Sequence, residues 1–299
     1  MRKAFLLLLT FTCINIQAQQ GDDSSFYFLQ MSFFNPAYAG SNFVNEISLS
    51  TRNQWTSIEN SPRGQLLTIS SPRKNNVGLG ISAFTRKNFI ERRSLAYIDF
   101  SYKLQFSSEK FLFLGLKGGT SLFKTDFSEI MDQTLITDPA LNNTNRIKPN
   151  LGLGLLLKYP KFYFSFSIPR LFSQNDDNFE YNNQRLNTYL GFGLNKEIVS
   201  NIRFETNMFL RLSQGYKAIM DLNGVLSFND NLKLGTNYRT NNTLSPLIQL
   251  SLKNIEIGYA YEFSLNNTLL GLGVKTHEVL LKFNLDNSNV GESVEEPSE

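Results

Sequence analysis

The chain has almost none of the side chains that usually build metal centres and nucleophilic sites. Its 299 residues include one cysteine, one histidine and one tryptophan. Cys13 lies in the apolar stretch near the start, so the mature chain is expected to contain neither a disulfide nor a thiolate metal site. His277 alone does not supply the several ligands of a zinc site, and no Gly-x-Ser-x-Gly element accompanies it. The sequence therefore predicts no catalytic residue, no metal and no cofactor, and so no enzyme.

Long apolar runs and charge of one sign are also scarce. Beyond the start of the chain, no segment is long and apolar enough to be a membrane helix. The formal net charge is +3, and no run of basic residues occurs, so a nucleic acid partner is not expected.

The two ends of the chain differ from the rest. Arg2 and Lys3 precede an apolar core, Ala4–Ile14, and Ala18 follows it, which predicts an exported protein with a signal peptide over residues 1–18. Residues 286–299 contain several carboxylates and no basic side chain, and they are expected to form a disordered, acidic periplasmic tail.

Between these ends, about fourteen short segments alternate apolar and polar residues. Phe162, Phe164 and Phe166 share one parity, whereas Tyr163 and Ser165 take the other. Successive side chains of a strand point to opposite faces, so each segment would have one apolar and one polar face. This pattern is typical of an all-β, transmembrane antiparallel outer-membrane β-barrel. We predict such a barrel of about 14 strands over residues 45–285, in contact with outer-membrane lipid.

The gaps between the predicted strands support this interpretation. Counted from a periplasmic N-terminus, every even-to-odd gap is short, and the two longest gaps within the barrel, 126–148 and 170–184, are both odd-to-even. Outer-membrane barrels have short periplasmic turns and longer outer loops. A charge that faced lipid at mid-bilayer would cost about 2–4 kcal/mol. Six charged residues alternate with apolar residues in their segments, and they are therefore expected to face the lumen: Arg203, Glu205, Arg211, Asp221, Glu256 and Glu262.

The segment 19–44 precedes the first predicted strand and is not predicted to form part of the barrel wall. Phe26–Phe34 is aromatic and apolar, and Asn35-Pro36-Ala37-Tyr38-Ala39-Gly40 is rich in turn residues. We expect a periplasmic or plug-like segment that lies inside the barrel or beneath it.

Several motifs resemble the PorP/SprF family, which comprises outer-membrane proteins of the type IX secretion system. They are the stretch from Met31 through Asn35-Pro36-Ala37-Tyr38-Ala39-Gly40 to Ser41, Arg52-Asn53-Gln54-Trp55, Ser61-Pro62, and the closing strand His277-Glu278-Val279-Leu280-Leu281-Lys282-Phe283. The resemblance implies a non-enzymatic barrel that assists export or surface attachment of a specific cargo, such as a large adhesin of the gliding-motility type. It also implies two kinds of protein partner, a secreted cargo with a C-terminal sorting domain and periplasmic components of the machinery.

Two sets of residues are candidates for partner binding. We predict an inner platform for cargo handling, formed by Asn35, Pro36, Tyr38, Gly40, Arg52, Gln54 and Trp55, and the resemblance adds His277 and Glu278. Plainer interpretations remain for each. Trp55 can be a headgroup-level girdle residue, His277 a polar residue at the start of the last strand, and the turn-rich segment a seal for the barrel floor. The alternative function is that of an outer-membrane porin or a fatty-acid-type solute transporter.

Overall fold

The computed structural model describes residues 23–127, 143–172, 186–266 and 275–285. The predicted signal peptide and acidic tail lie outside these ranges. The described residues form a closed barrel in which each strand pairs with its sequence neighbours and the first strand pairs with the last. The strands are β1 (Asn45–Gln54), β2 (Arg63–Pro72), β3 (Val77–Asn88), β4 (Glu91–Ser107), β5 (Lys110–Thr125), β6 (Thr144–Lys158), β7 (Phe162–Ile168), β8 (Asn187–Val199), β9 (Ile202–Ser213), β10 (Ile219–Phe228), β11 (Leu232–Arg239), β12 (Thr243–Leu252), β13 (Ile255–Ser264) and β14 (Lys275–Leu285). The predicted fold class is confirmed.

All strand pairs are antiparallel, and the β1–β14 seam runs from Asn45 opposite Leu285 to Gln54 opposite Thr276. Connections of unequal length collect at opposite ends of the barrel. At the short-turn end lie 73–76, 108–109, 159–161, 200–201, 229–231 and 253–254. At the long-loop end lie 55–62, 89–90, 126–143, 169–186, 214–218, 240–242 and 265–274. The connections 89–90 and 240–242 are the exceptions at that end, since neither is longer than the turns at the opposite end.

The wall follows the alternation in the sequence. In β4, Ile98 points outward with 67% of its surface exposed, whereas its neighbours Tyr97 and Asp99 point inward with 3% and 0% exposed. The six charges predicted to face the lumen all have inward parity. Arg211, Asp221 and Glu262 are deeply buried. Arg203 lies near the short-turn end, where its side chain is 41% exposed beside Asp230.

The luminal segment, which we define as Asp23–Val44, fills the interior. It contains a 3-10 turn at Tyr27–Leu29, a one-turn helix α1 at Met31–Phe34 and a second 3-10 turn at Pro36–Tyr38. Seven of its apolar side chains are buried against the wall, namely Phe26, Tyr27, Met31, Phe33, Phe34, Ala37 and Ala39. Of the two positions expected for this segment, the lumen is the one observed. No helix among the described residues is long and apolar enough to cross a membrane.

Candidate functional site in the barrel lumen

The luminal segment begins in an ion network near the long-loop end. The mouth network, as we name it, joins three arginines to four carboxylates: Arg52, Arg211, Arg239, Asp23, Asp221, Glu262 and Glu278. Arg239 lies at the centre, with Nε 2.7 Å from Asp221 Oδ1 and Nη1 3.3 Å from Glu262 Oε2. Because nearly all of these groups are buried, each charge depends on its partners for compensation.

The seam strands bind the start of the segment. Arg52 of β1 lies 2.5 Å from Glu262 and 3.0 Å from Glu278 of β14. Glu278 also accepts hydrogen bonds from the Ser24 hydroxyl, at 2.5 Å, and from the Ser25 backbone N–H, at 2.7 Å. The carboxylate of Glu278 therefore ties the segment to both strands of the seam.

Asp23 is the first described residue, and it contacts Arg211 and Arg239. Burial alone would raise the pKa of this carboxyl, but the guanidinium groups of Arg239, Arg211 and Arg52 hold the pKa well below its usual range. Asp23 is therefore ionised at any physiological pH.

Aromatic rings hold the next part of the segment. Tyr27 stacks on Phe209 of β9 with ring centroids 5.0 Å apart, and Phe34 meets the same ring edge-on at 5.1 Å. Tyr189 stacks on Phe209 at 5.2 Å, so four rings form one cluster. Such pairs contribute about 0.5–1.5 kcal/mol each beyond the area that they bury. Lys117 of β5 adds a polar contact, since its Nζ donates to the Ser32 carbonyl at 3.1 Å.

The turn-rich motif binds the wall through its backbone and one amide side chain. Asn35 Oδ1 accepts from the Ala37 N–H at 2.9 Å and so caps the second 3-10 turn. Asn35 Nδ2 donates to the carbonyls of Leu155 and Phe166 at 3.0 and 3.2 Å. Its side chain thereby reaches β6 and β7 at once.

The end of the motif is held in the same way. The Ser101 hydroxyl donates to the Ala39 carbonyl at 2.6 Å, and the Gly40 N–H donates to Ser70 Oγ at 2.8 Å. Gly40 has a φ of 68°, a conformation that L side chains rarely adopt.

Glycines of the wall make room for the motif. A Cβ added at Gly115 would lie 2.2 Å from the Ala37 nitrogen, and one at Gly78 would lie 2.0 Å from the Ala39 oxygen. A Cβ at Gly154 would lie 2.0 Å from Asn35 Oδ1. The motif thus lies directly on these three glycines of the wall. We name them the glycine seat: Gly78, Gly115 and Gly154.

The predicted inner platform is not a single surface, which corrects that prediction. Asn35, Pro36, Tyr38 and Gly40 lie against β2–β7 toward the short-turn end. Arg52, Gln54 and Trp55 lie at the long-loop end of β1. Arg52 joins the mouth network, Gln54 accepts from Arg86 at 3.1 Å, and Trp55 follows the strand with a φ of 53° and 38% exposure.

The two partner-binding candidates on the closing strand, His277 and Glu278, also lie on opposite faces of the wall. Since their positions are adjacent, His277 points outward, where its Nδ1 lies 2.8 Å from the Tyr259 hydroxyl, and Glu278 points into the mouth network. Sequence reasoning did not single out Asp23 or Arg239. The inward parity of Arg239 was available as a signal, whereas nothing in the sequence placed Asp23 beside it.

A cavity of about 200 Å³ lies beneath the luminal segment on the short-turn side. Its lining includes Glu46 and Lys282, whose charged groups are 2.6 Å apart, and Lys158, whose Nζ donates to the Ser41 carbonyl at 2.9 Å. Among the described residues, no group of three or more His, Cys, Asp or Glu side chains is placed to hold a metal ion.

The fold and the filled lumen define a class, that of outer-membrane β-barrels with an internal plug. The chain belongs to the family described as "Type IX secretion system membrane protein PorP/SprF", which it matches over residues 16–283. The resemblance seen in the sequence is confirmed.

Solved structures that are similar to this chain share little of its sequence. The toluene transporter TbuX of Ralstonia pickettii has a TM-score of 0.50 and 10% identity, with 85% of this chain and 93% of that chain covered. The outer membrane protein Omp33 of Acinetobacter baumannii has a TM-score of 0.48 and 9% identity, with 81% and 98% covered. No curated protein is similar enough to this chain to count as a match.

Proposed function

We propose that the protein is a non-enzymatic component of type IX secretion that binds one cargo and assists its export or surface attachment. The cargo class is a large adhesin with a C-terminal sorting domain, and periplasmic parts of the machinery are the second partner. In the proposed orientation, the short-turn end and the acidic tail face the periplasm. In that orientation Asp23 lies at the outer mouth of the lumen.

The observation that carries the proposal is the filled lumen. A solute pathway through this barrel would require displacement of a segment held by the mouth network, a cluster of four aromatic rings and the glycine seat. A protein-binding barrel needs no such pathway, because its mouth and rim are the surfaces that a partner meets.

Trp55 is the residue that we assign to cargo contact. It stands at the long-loop end, partly exposed, next to Gln54 and the Arg86 guanidinium that this amide binds. Tryptophan and arginine are the residue types that most often dominate binding energy at interfaces. The motif Asn35–Gly40 acts indirectly in this proposal, by fixing the plug behind that surface.

The experiment is replacement of the gene by a Trp55→Ala allele, with cargo measured at the cell surface. We expect a folded barrel, judged by heat-modifiable mobility in gels, and a several-fold loss of surface cargo. The matched control is Phe172→Ala, because Phe172 is a 51% exposed aromatic beside β7, across the barrel from β1.

The rival function is solute transport, the role that the name of TbuX states for that protein. It predicts slower uptake of a small solute in a strain without the gene, together with unchanged surface cargo. Cargo loss with normal uptake would exclude it, and the converse result would exclude the secretion role.

A further inference from the structure

Four cations form one row on the outward face of the barrel at the long-loop end. Arg63 of β2 pairs in register with Lys87 of β3, Lys87 with Arg92 of β4, and Arg92 with Lys124 of β5. All four have outward parity, since the residues beside them, Gly64, Arg86, Arg93 and Phe123, belong to the inward rows. We name this set the cationic row.

The row lies just beyond the apolar band of the wall. On β4 the outward side chains from Ile98 to Phe106 are large, apolar and exposed. The stretch from Ala96 to Phe106 rises about 33 Å along the strand, which a tilt of about 40° reduces to the roughly 25 Å height of an apolar band. Arg92 lies four residues further, about 10 Å higher by the same geometry. That height is the headgroup layer.

The outward face of the strands in this sector carries cations and no carboxylate. The outward positions of β2, β3, β4 and β5 include no aspartate or glutamate. Carboxylates at this rim include Asp126, whose Oδ2 is 2.8 Å from Lys124 Nζ, Glu91, which has inward parity at the start of β4, and Glu59 in the connection 55–62. Across the barrel, the outward positions of β9–β13 carry no charged side chain at all. The cations are thus concentrated on one side of the rim.

We propose that the cationic row binds the phosphate groups of a lipid, namely a phosphorylated glycolipid of the leaflet at the long-loop end. A ligand on the outward face of the wall, directly above the apolar band, is a lipid headgroup by position. Arginine binds phosphate through two parallel N–H donors, and lysine adds a point charge. Long cationic side chains also bend toward the headgroup layer while their stems cover apolar surface. The site is independent of cargo binding.

The test uses the full chain in detergent micelles and lipid A in two forms, with both phosphates and with both removed. We expect the phosphorylated lipid to bind about ten-fold more tightly and to raise the temperature of the heat-modifiable transition, and native mass spectrometry should show it retained. Because this comparison needs no variant, it remains decisive even if a variant fails to insert.

The variant R63Q/K87Q/R92Q/K124Q should lose this preference for phosphate. The control K74Q/K161Q/K196Q/K253Q removes the same number of exposed cations at the short-turn end and should keep it. Equal binding of the two lipids to the native chain would overturn the proposal, as would a row variant that still prefers phosphate. Displacement of the lipid by an acidic protein would assign the row to that partner instead. Surface cargo is measured separately, so failure here leaves the proposed function standing.

Discussion

The first half of the luminal segment, Asp23–Phe34, is held by charges and rings, whereas the second half is held, from Asn35 to Ser41, by main-chain fit and the Asn35 amide. The first half depends on attractive side-chain contacts. Asp23 binds Arg211, and Tyr27 stacks on Phe209. The second half depends on the absence of side-chain atoms at the glycine seat. The difference teaches that one plug can be loosened in two ways, by an uncompensated charge at one end or by a single methyl group at the other.

The largest effect is expected at Arg239. Its replacement by Met leaves Asp221 and Glu262 without the guanidinium that both contact, and breaking a buried ion pair costs about 3–5 kcal/mol. The free energy of unfolding in detergent, from urea titration, measures the effect. The control Arg203→Met removes an exposed luminal cation, where about 1 kcal/mol or less is expected. Equal losses of unfolding free energy in the two variants would show that the mouth network stabilises the barrel no more than an exposed ion pair does.

The next effect is expected at the glycine seat. Gly115→Ala puts a Cβ 2.2 Å from the Ala37 nitrogen, and overpacking of this kind costs about 1–3 kcal/mol. We expect the second half to lift while the first half stays bound, so that a thiol introduced by Ala37→Cys becomes reactive. Gly118→Ala on the same strand is the control, since its nearest atom would be 4.0 Å away. If the Ala37→Cys thiol becomes equally reactive with Gly115→Ala and with Gly118→Ala, the close fit at the glycine seat is not what holds the second half.

A smaller effect is expected from Asn35→Ala. The change removes two hydrogen bonds to wall carbonyls and one cap, and the net loss should be about 1–2 kcal/mol because water can replace some of these contacts. The control is Asn42→Ala, whose amide binds Glu46 at 3.1 Å in an exposed position. Thermal midpoints of the two variants give the comparison, and a larger shift for N42A would contradict it.

The smallest effect is expected from Asp23→Asn, about 1 kcal/mol, because Arg211 and Arg239 both keep Asp221 as a carboxylate partner and asparagine keeps an oxygen that can accept from Arg211. The folded pKa of Asp23 is depressed, so its contribution is fully present above the unfolded value of about 3.9 and is lost only as the pH falls toward the folded value. The stability difference between the native chain and D23N should therefore be the same at pH 8 and pH 5. A difference that disappears by pH 5 would refute the charge-based account of the first half.

The wall could be predicted from the sequence because each strand carries its own signal. Phe162 to Ile168 alternates with a period of two, and the same period places Arg211 and Glu262 inside. These inferences need no knowledge of distant residues, since a charge in lipid is costly wherever the strand lies.

The interior could not be predicted in the same way. Ser24 and Glu278 meet across 254 positions of sequence, and no local pattern pairs them. Gly78 and Gly115 leave open space in the lumen, and the occupant of that space is a backbone rather than a recognisable side-chain pattern. The platform hypothesis placed Trp55 with the motif, whereas Trp55 lies at the long-loop end directly after β1, with a positive φ.

The position of Glu278 also links the luminal segment to the strand pair that closes the barrel. The β1–β14 seam joins the first strand to be synthesised with the last, and every other pair of wall strands is consecutive. Ser24 and Ser25 bind Glu278 of β14, while Gln30 accepts a hydrogen bond from the Ser50 hydroxyl of β1 at 2.8 Å. An open sheet with β1 and β14 apart therefore lacks the complete binding site for the segment. The site of the segment is complete only in the closed ring, and the segment bridges the two strands whose pairing closes the barrel.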